Sequence, residues 1–161
     1  MIQEILLAVV LSTSFIQSEP LDLLPDDVRV AVIEEVASDT IEEFKDDPDS
    51  GLYIMAHVIH GEAGSLSCST DMRYYVGSVV INRVRSDIFP NTIHDVVYQS
   101  GQYGCVWDGH YDLEPTEECW DIAYDILYND SHLPTYVLFQ SNEPQGSGVY
   151  LKEQNMYFCY K

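Results

Sequence analysis

The chain has 161 residues, of which 46% are hydrophobic and 21% charged, a composition typical of one globular domain with a modest extension. Acidic residues number 27 and basic residues 7, so the formal net charge is -20. Nucleic acids and anionic membrane surfaces are bound through clustered Lys and Arg, so this balance argues against both partners. The charge favours a soluble monomer.

The N-terminus begins with a short apolar run, Ile5 to Ile16. It is too short to span a bilayer and fits the hydrophobic region of a signal peptide, although Glu4 stands where a basic residue is expected. We therefore interpret residues 1–18 as a signal-like segment, with a buried strand or helix as the alternative. Export predicts an extracellular or wall-associated protein without stable membrane insertion.

Residues 19–50 form an acidic segment with few aromatic side chains. Pro25, Asp26 and Asp27 are typical of a first helical turn. Apolar residues then recur at helical spacing, which predicts an amphipathic helix packed on the main domain, with a free linker as the alternative: Val32, Ile33, Val36, Ile41 and Phe44.

Residues 51–161 have the hydrophobic density of a core and are interpreted as the catalytic domain. The pattern predicts four helices: Leu52–Ile59, one from Thr70 or Asp71 to Val84, Asn91–Tyr98 capped by Asn91 or Thr92, and one from a Thr116 cap to about Asn129.

The C-terminal part changes to short β-branched and aromatic runs separated by turn residues. Two or three antiparallel strands are predicted within Tyr136–Gln140, Val149–Leu151 and Met156–Tyr160. The predicted fold class is α+β, mainly helical, with a small antiparallel sheet near the C-terminus.

The segment HVIHGEAG, residues 57–64, ends an apolar helix abruptly at Gly61 and Glu62. A carboxyl group just past the end of a buried helix is partly desolvated, which suits it to donate a proton near neutral pH. A lone Glu at a helix end is more often a solvated surface residue, so this segment alone is weak evidence.

Several motifs in register strengthen the hypothesis. HVIHGEAGS, GSVVINRVRS and IFPNTIHDVVYQSGQYGCVWDG, followed by VLFQSNEPQGSGVY and MYFCY, resemble the cell wall hydrolase family that includes the spore cortex-lytic enzymes. The resemblance covers essentially all of residues 51–161. It implies a lysozyme-like fold that cleaves the β-1,4 bond between N-acetylmuramic acid and N-acetylglucosamine in peptidoglycan strands.

The resemblance places the catalytic acid of the family on Glu62. A lytic transglycosylase needs only this residue, because the muramic C6 hydroxyl attacks and a 1,6-anhydro sugar results. A muramidase uses water instead and would need a second carboxylate. Nothing in the spacing selects one among the four candidates Asp71, Asp108, Asp112 and Glu114.

The substrate cleft must stack sugar rings and bind acetamido groups. The Gly-rich segment GQYGCVWDG offers an amide and two aromatic rings, Gln102, Tyr103 and Trp107. Trp107 is equally compatible with a core position. Gln140, Tyr150 and Tyr157 are further candidates from the strands. Asn82 and Arg83 lie mid-helix, where orienting loops is the more natural role.

Two other functions are weighed against this one. A glycan-binding module would hold peptidoglycan without cutting it. A metallohydrolase could use His57, His60 and Glu62, but the spacing is not that of a zinc protease and no third ligand is evident. A protonated His60 would instead favour the charged form of Glu62. We expect no metal and no cofactor.

Four cysteines occur without a C-x-x-C pair, which argues against a structural zinc site: Cys68, Cys105, Cys119 and Cys159. If the protein is exported, two disulfides are slightly favoured over four free thiols, with the pairing undetermined.

Overall fold

The computed structural model describes residue 21 and residues 25–161. The signal-like segment 1–18 lies outside the described residues. The chain divides into two units, residues 1–43 and 44–161, and each is described by itself. Among the described residues, none of the helices has the length and apolar character needed to cross a membrane.

The acidic segment forms helix α1, Asp26–Phe44. Asp26 and Asp27 lie in its first turn, where the helix dipole favours negative charge. Within the helix the Thr40 hydroxyl donates to the Val36 carbonyl at 2.8 Å. The predicted helix is therefore present.

Helix α2, Gly51–Ala63, is the central element of the second unit. Ser50 caps its start, because the Ser50 hydroxyl accepts from the Tyr53 N–H at 3.0 Å. Side chains from Ile54 to Ile59 are buried without interruption, so the helix is covered on all sides. The sequence located this helix but ended it four residues early.

Three more helices surround α2, and Ser or Thr caps each of them. They are α3, Thr70–Arg85, capped by Ser69; α4, Ile93–Val97, capped by Thr92; and α6, Glu117–Tyr128, capped by Thr116. Gly77 allows close approach, since a Cβ there would lie 2.5 Å from the Ile126 side chain and 2.9 Å from that of Ile59. The helices thus pack tightly where this glycine lies.

Residues 101–112, which begin with the Gly-rich segment, contain two short helical elements. These are the one-turn helix α5, Cys105–Asp108, and a 3-10 turn, His110–Asp112. Gly109 joins them at a φ of +88°, a conformation that favours glycine.

Three strands form an antiparallel sheet in the order β1-β3-β2: β1, Val137–Ser141; β2, Gly148–Glu153; and β3, Met156–Tyr160. Gln140 pairs with Phe158, and Lys152 pairs with Tyr157. Phe158 is fully buried, with its ring 5.3 Å from that of Tyr75 in α3. The predicted α+β class with a C-terminal antiparallel sheet is confirmed.

All four cysteines are free thiols, and three of them are buried. The expectation of two disulfides is therefore wrong for this structure. Buried Cys behaves as a small apolar side chain, and Cys105, Cys119 and Cys159 each fill space in the core.

Candidate functional site

Glu62 lies in the last turn of α2 and is half-buried. It is inside the helix rather than just past its end, so the prediction of its position was wrong by one turn. The Cys105 backbone N–H donates to Glu62 Oε1 at 3.1 Å. The carboxyl group therefore has one oxygen held by the protein while the residue keeps partial contact with solvent.

Gly61 makes this contact possible. A Cβ at Gly61 would lie 2.5 Å from the Cys105 Cβ and 2.9 Å from its sulfur. Only glycine lets α5 approach the end of α2 this closely, and the approach brings the Cys105 N–H to Glu62.

The turn that follows Glu62 is fixed by a second glycine and by a buried arginine. A Cβ at Gly64 would lie 2.3 Å from the His60 carbonyl oxygen. Arg73 in α3 donates to the Ser65 carbonyl at 3.1 Å and pairs with Glu118 in α6 at 3.2 Å. The segment around Glu62 is thus tied to both neighbouring helices.

The three candidates from the Gly-rich segment have different surroundings. Gln102 is exposed, and Trp107 is 64% exposed. Tyr103 is fully buried, so its ring is not available to stack on a sugar. The prediction that Tyr103 contacts substrate is therefore corrected: sequence patterns do not reveal which aromatic of a Gly-rich segment turns inward.

Tyr103 is close to the buried Arg83, and the charge of the candidate acid Glu62 acts on it. The Arg83 guanidinium is 5.2 Å from the centre of its ring. Burial raises the pKa of Tyr103 to about 12, and the nearby Glu62 carboxylate adds to this effect while Arg83 opposes it. Tyr103 therefore stays a buried, neutral phenol.

The strand candidates are partly accessible. Gln140 is half-buried, and Tyr157 is half-buried with the Lys152 ammonium 4.7 Å from its ring centre. Tyr150 is 45% exposed, and its ring lies 6.1 Å from that of Tyr136. Tyr136, exposed by 55%, was missed by the sequence analysis although it opens a predicted strand.

The four candidate second carboxylates are all exposed: Asp71, Asp108, Asp112 and Glu114. Asp108 is hydrogen-bonded by His110, through the ring Nδ1 at 2.7 Å and the backbone N–H at 3.1 Å. These hydrogen bonds lower the pKa of Asp108. The charges of Asp108 and Glu62 both raise the pKa of the Cys105 thiol, and the charge of Glu114 acts on His57 and His60 of α2.

The α2 histidines are not arranged as metal ligands. His57 is buried, donates from Nδ1 to the Tyr111 carbonyl at 2.6 Å and stacks on Tyr53. Burial lowers the pKa of both His57 and His60, which favours neutral rings. No group of three His, Cys, Asp or Glu side chains in the described part of the chain could hold a metal ion.

Asn82 and Arg83 support the backbone around β1. The Asn82 amide donates to the Pro134 carbonyl at 2.9 Å and the Val137 carbonyl at 3.2 Å. Arg83 Nε donates to the Leu138 carbonyl at 2.7 Å. Both side chains are buried and bind main-chain carbonyls rather than solvent.

Comparison with known proteins identifies the family. The model of a family described as Cell Wall Hydrolase matches residues 69–157, more than half of the chain. The chain belongs to this cell wall hydrolase family. The matched range begins after Glu62, so the family match itself does not include the candidate acid.

The chain is also similar to a curated spore cortex-lytic enzyme of Oceanobacillus iheyensis. The two sequences are 28% identical over 76 residues. The alignment covers 47% of this chain and 27% of the relative, so the chain spans about a quarter of that protein's length. No solved structure gives a significant match.

Proposed function

We propose that the second unit cleaves the β-1,4 bond between N-acetylmuramic acid and N-acetylglucosamine in peptidoglycan, as a lytic transglycosylase with Glu62 as its acid and base. The family membership supports a peptidoglycan hydrolase. The observation that carries the assignment to Glu62 is its half-buried carboxyl group, with Oε1 bound by the Cys105 N–H.

Glu62 supplies the one carboxyl group that both steps of the proposed reaction need. The C-terminal end of a helix does not favour negative charge, whereas the Cys105 N–H does. Protonated Glu62 would give its proton to the glycosidic oxygen as the bond to the sugar breaks and positive charge develops on that sugar. The carboxylate would then take the proton of the muramic C6 hydroxyl as its oxygen attacks, which closes the anhydro ring and restores the acid.

One of the four candidate second carboxylates, Asp108, is already hydrogen-bonded within the protein. A muramidase would need a second carboxylate free to orient water or the sugar cation. Asp108, one of the four exposed candidates, is bound to His110 through two hydrogen bonds. A mechanism in which Glu62 alone serves both steps agrees with this arrangement.

We assign glycan contacts to the accessible candidates. Trp107 and Gln102 lie on the segment that also provides the N–H donor to Glu62, and both are exposed. Tyr150, together with Tyr136, would extend the contact along the sheet. Gln140 and Tyr157 remain weaker candidates because each is half-buried. We propose that the protein acts outside the cell or at its wall, and that it acts as a monomer.

Mass spectrometry of the products released from purified sacculi tests this proposal. A transglycosylase releases muropeptides that have lost one water relative to hydrolysed ones, and we expect these anhydro products. Hydrolysed reducing ends alone would make the protein a muramidase and overturn the single-residue mechanism. Binding to sacculi without any released product would make it a glycan-binding module and overturn the proposal as a whole.

A further inference from the structure

The loop formed by residues 64–69 is connected to the sheet as well as to α3. The Gln154 side-chain amide donates to the Ser67 carbonyl at 2.7 Å. The Ser69 hydroxyl donates to Glu153 Oε1, also at 2.7 Å. Because Glu153 and Gln154 lie where β2 turns into β3, we call these two hydrogen bonds the tether. They join residues that are 87 and 84 positions apart in the chain.

Gln154 has a backbone conformation that favours a different residue. It begins the two-residue turn between Glu153 and Met156, which pair across β2 and β3. Its φ is +51°, and such turns favour glycine or asparagine at positive φ because a longer side chain is strained there. The hydrogen bond to Ser67 gives the glutamine side chain a function that glycine would lack.

The loop is continuous with the last turn of α2, which contains Glu62. The Gly64 N–H closes this turn by donating to the His60 carbonyl at 2.6 Å. Helix ends fray when the residues that follow them are free to move. The Cys105 N–H reaches Glu62 Oε1 only while this turn is wound, so the loop and the carboxyl group are mechanically linked.

We propose that the β2–β3 turn positions Glu62: the tether holds residues 64–69, and this loop keeps the last turn of α2 wound. The inference rests on the proposed role of Glu62. Glu153 and Gln154 act through the loop and are positioning residues. The tether also connects the acid to β2, the strand that carries the candidate glycan contact Tyr150.

The first half of the loop has supports that do not depend on the tether. The Ser65 carbonyl accepts from Arg73 at 3.1 Å and from the Cys68 N–H at 2.9 Å. At the other end, the Ser69 hydroxyl caps α3 by accepting from the Met72 N–H at 3.1 Å. Loss of the tether should therefore loosen the loop without unfolding it. For the same reason Ser69 itself is left unchanged in the experiment.

The first variant is Gln154→Gly, which removes the amide and also suits the positive φ. Its unfolding midpoint in urea should equal or exceed that of wild type. Amide hydrogen exchange at Gly64 and Cys68, measured by NMR, should become about fivefold faster, because a hydrogen bond that restrains both is lost.

The same variant tests the effect on the reaction. On solubilised glycan strands, kcat should fall about fivefold with little change in KM, since the change disturbs the orientation of the acid rather than the binding of glycan. Asn155→Ala is the matched control, because Asn155 is an exposed residue of the same turn outside the tether. It should leave exchange, kcat and KM unchanged.

Glu153 provides a second test with a conservative partner. Glu153→Ala removes the acceptor of the Ser69 hydroxyl, so it should speed exchange at Cys68 and lower kcat. Glu153→Gln keeps a side-chain oxygen that can accept this hydrogen bond and should restore both values to within about twofold of wild type. This pair decides the question if Gln154→Gly proves unstable.

Unchanged exchange in both Gln154→Gly and Glu153→Ala would overturn the inference. Faster exchange with an unchanged kcat would also overturn it, because the loop would then not position Glu62. An equal effect of Asn155→Ala would do the same. If the wild-type protein releases no product from sacculi, it is the proposed function that fails, and the exchange rates show separately whether the tether holds the loop.

Discussion

The C-terminal ends of α2 and α3 both carry polar side chains, but they use them differently. At the end of α3, Asn82 and Arg83 are buried, and each donates to main-chain carbonyls before or within β1. At the end of α2, Glu62 is half-buried and receives one N–H from Cys105. Asn82 and Arg83 thus hold main-chain carbonyls in a buried setting, whereas Glu62 keeps its carboxyl group partly open to solvent.

This difference agrees with a structural role for Asn82 and Arg83 and with the proposed catalytic role of Glu62. Polar groups at the α3 end are part of the fold, so their loss should lower stability. The carboxyl group at the α2 end contributes little to folding through a single hydrogen bond, so its loss should affect catalysis. The distinction fails if Asn82 or Arg83 proves to be catalytic, or if Glu62 proves to be needed for stability.

The largest expected effect on stability comes from Asn82→Ala. This change leaves the Pro134 and Val137 carbonyls without the Asn82 amide in a buried setting, which should lower the free energy of unfolding by about 2 kcal/mol. Urea unfolding followed by circular dichroism measures it. At a temperature where the variant is folded, kcat should stay within a few-fold of wild type.

Arg85→Ala is the matched control, since Arg85 lies on the same helix end and pairs with Asp130 at an exposed site. Its effect should be below about 1 kcal/mol. An equal loss of stability in both variants would contradict the distinction between the buried and exposed donors of α3.

Trp107→Ala is expected to have a smaller effect on stability. It tests whether an exposed side chain of the Gly-rich segment contributes to glycan binding. Because the indole is 64% exposed, its removal should leave unfolding nearly unchanged but weaken stacking on the glycan. KM on solubilised glycan strands should rise roughly three- to tenfold with little change in kcat. Ile88→Ala, another exposed apolar residue, should leave KM unchanged. A destabilised Trp107 variant with normal KM would assign this side chain to the core.

Local sequence signals predicted much of the fold. Thr92 and Thr116 cap helices as expected, because a hydroxyl before an apolar periodic run satisfies the first free N–H groups. The strands begin and end within a few residues of the predicted ranges, since β-branched and aromatic runs between turn residues carry that preference locally.

The candidate site was less predictable because its contacts join distant segments. Glu62 and Cys105 are 43 residues apart, and no periodic pattern relates them. Gly61 explains their approach only after α5 is seen to pack against it. Tyr103 and Trp107 have similar sequence surroundings, yet one is fully buried and the other is exposed. Tertiary packing determines which of two such side chains is buried, and local sequence patterns do not predict it.

The most direct test of the account is muropeptide release from purified sacculi by Glu62→Gln. The amide keeps the size of the side chain and can no longer carry the transferable proton. We expect release to fall by at least about 100-fold while the free energy of unfolding stays within about 1 kcal/mol of wild type. Release at the wild-type rate by the folded variant would contradict the central claim that Glu62 performs the acid and base steps.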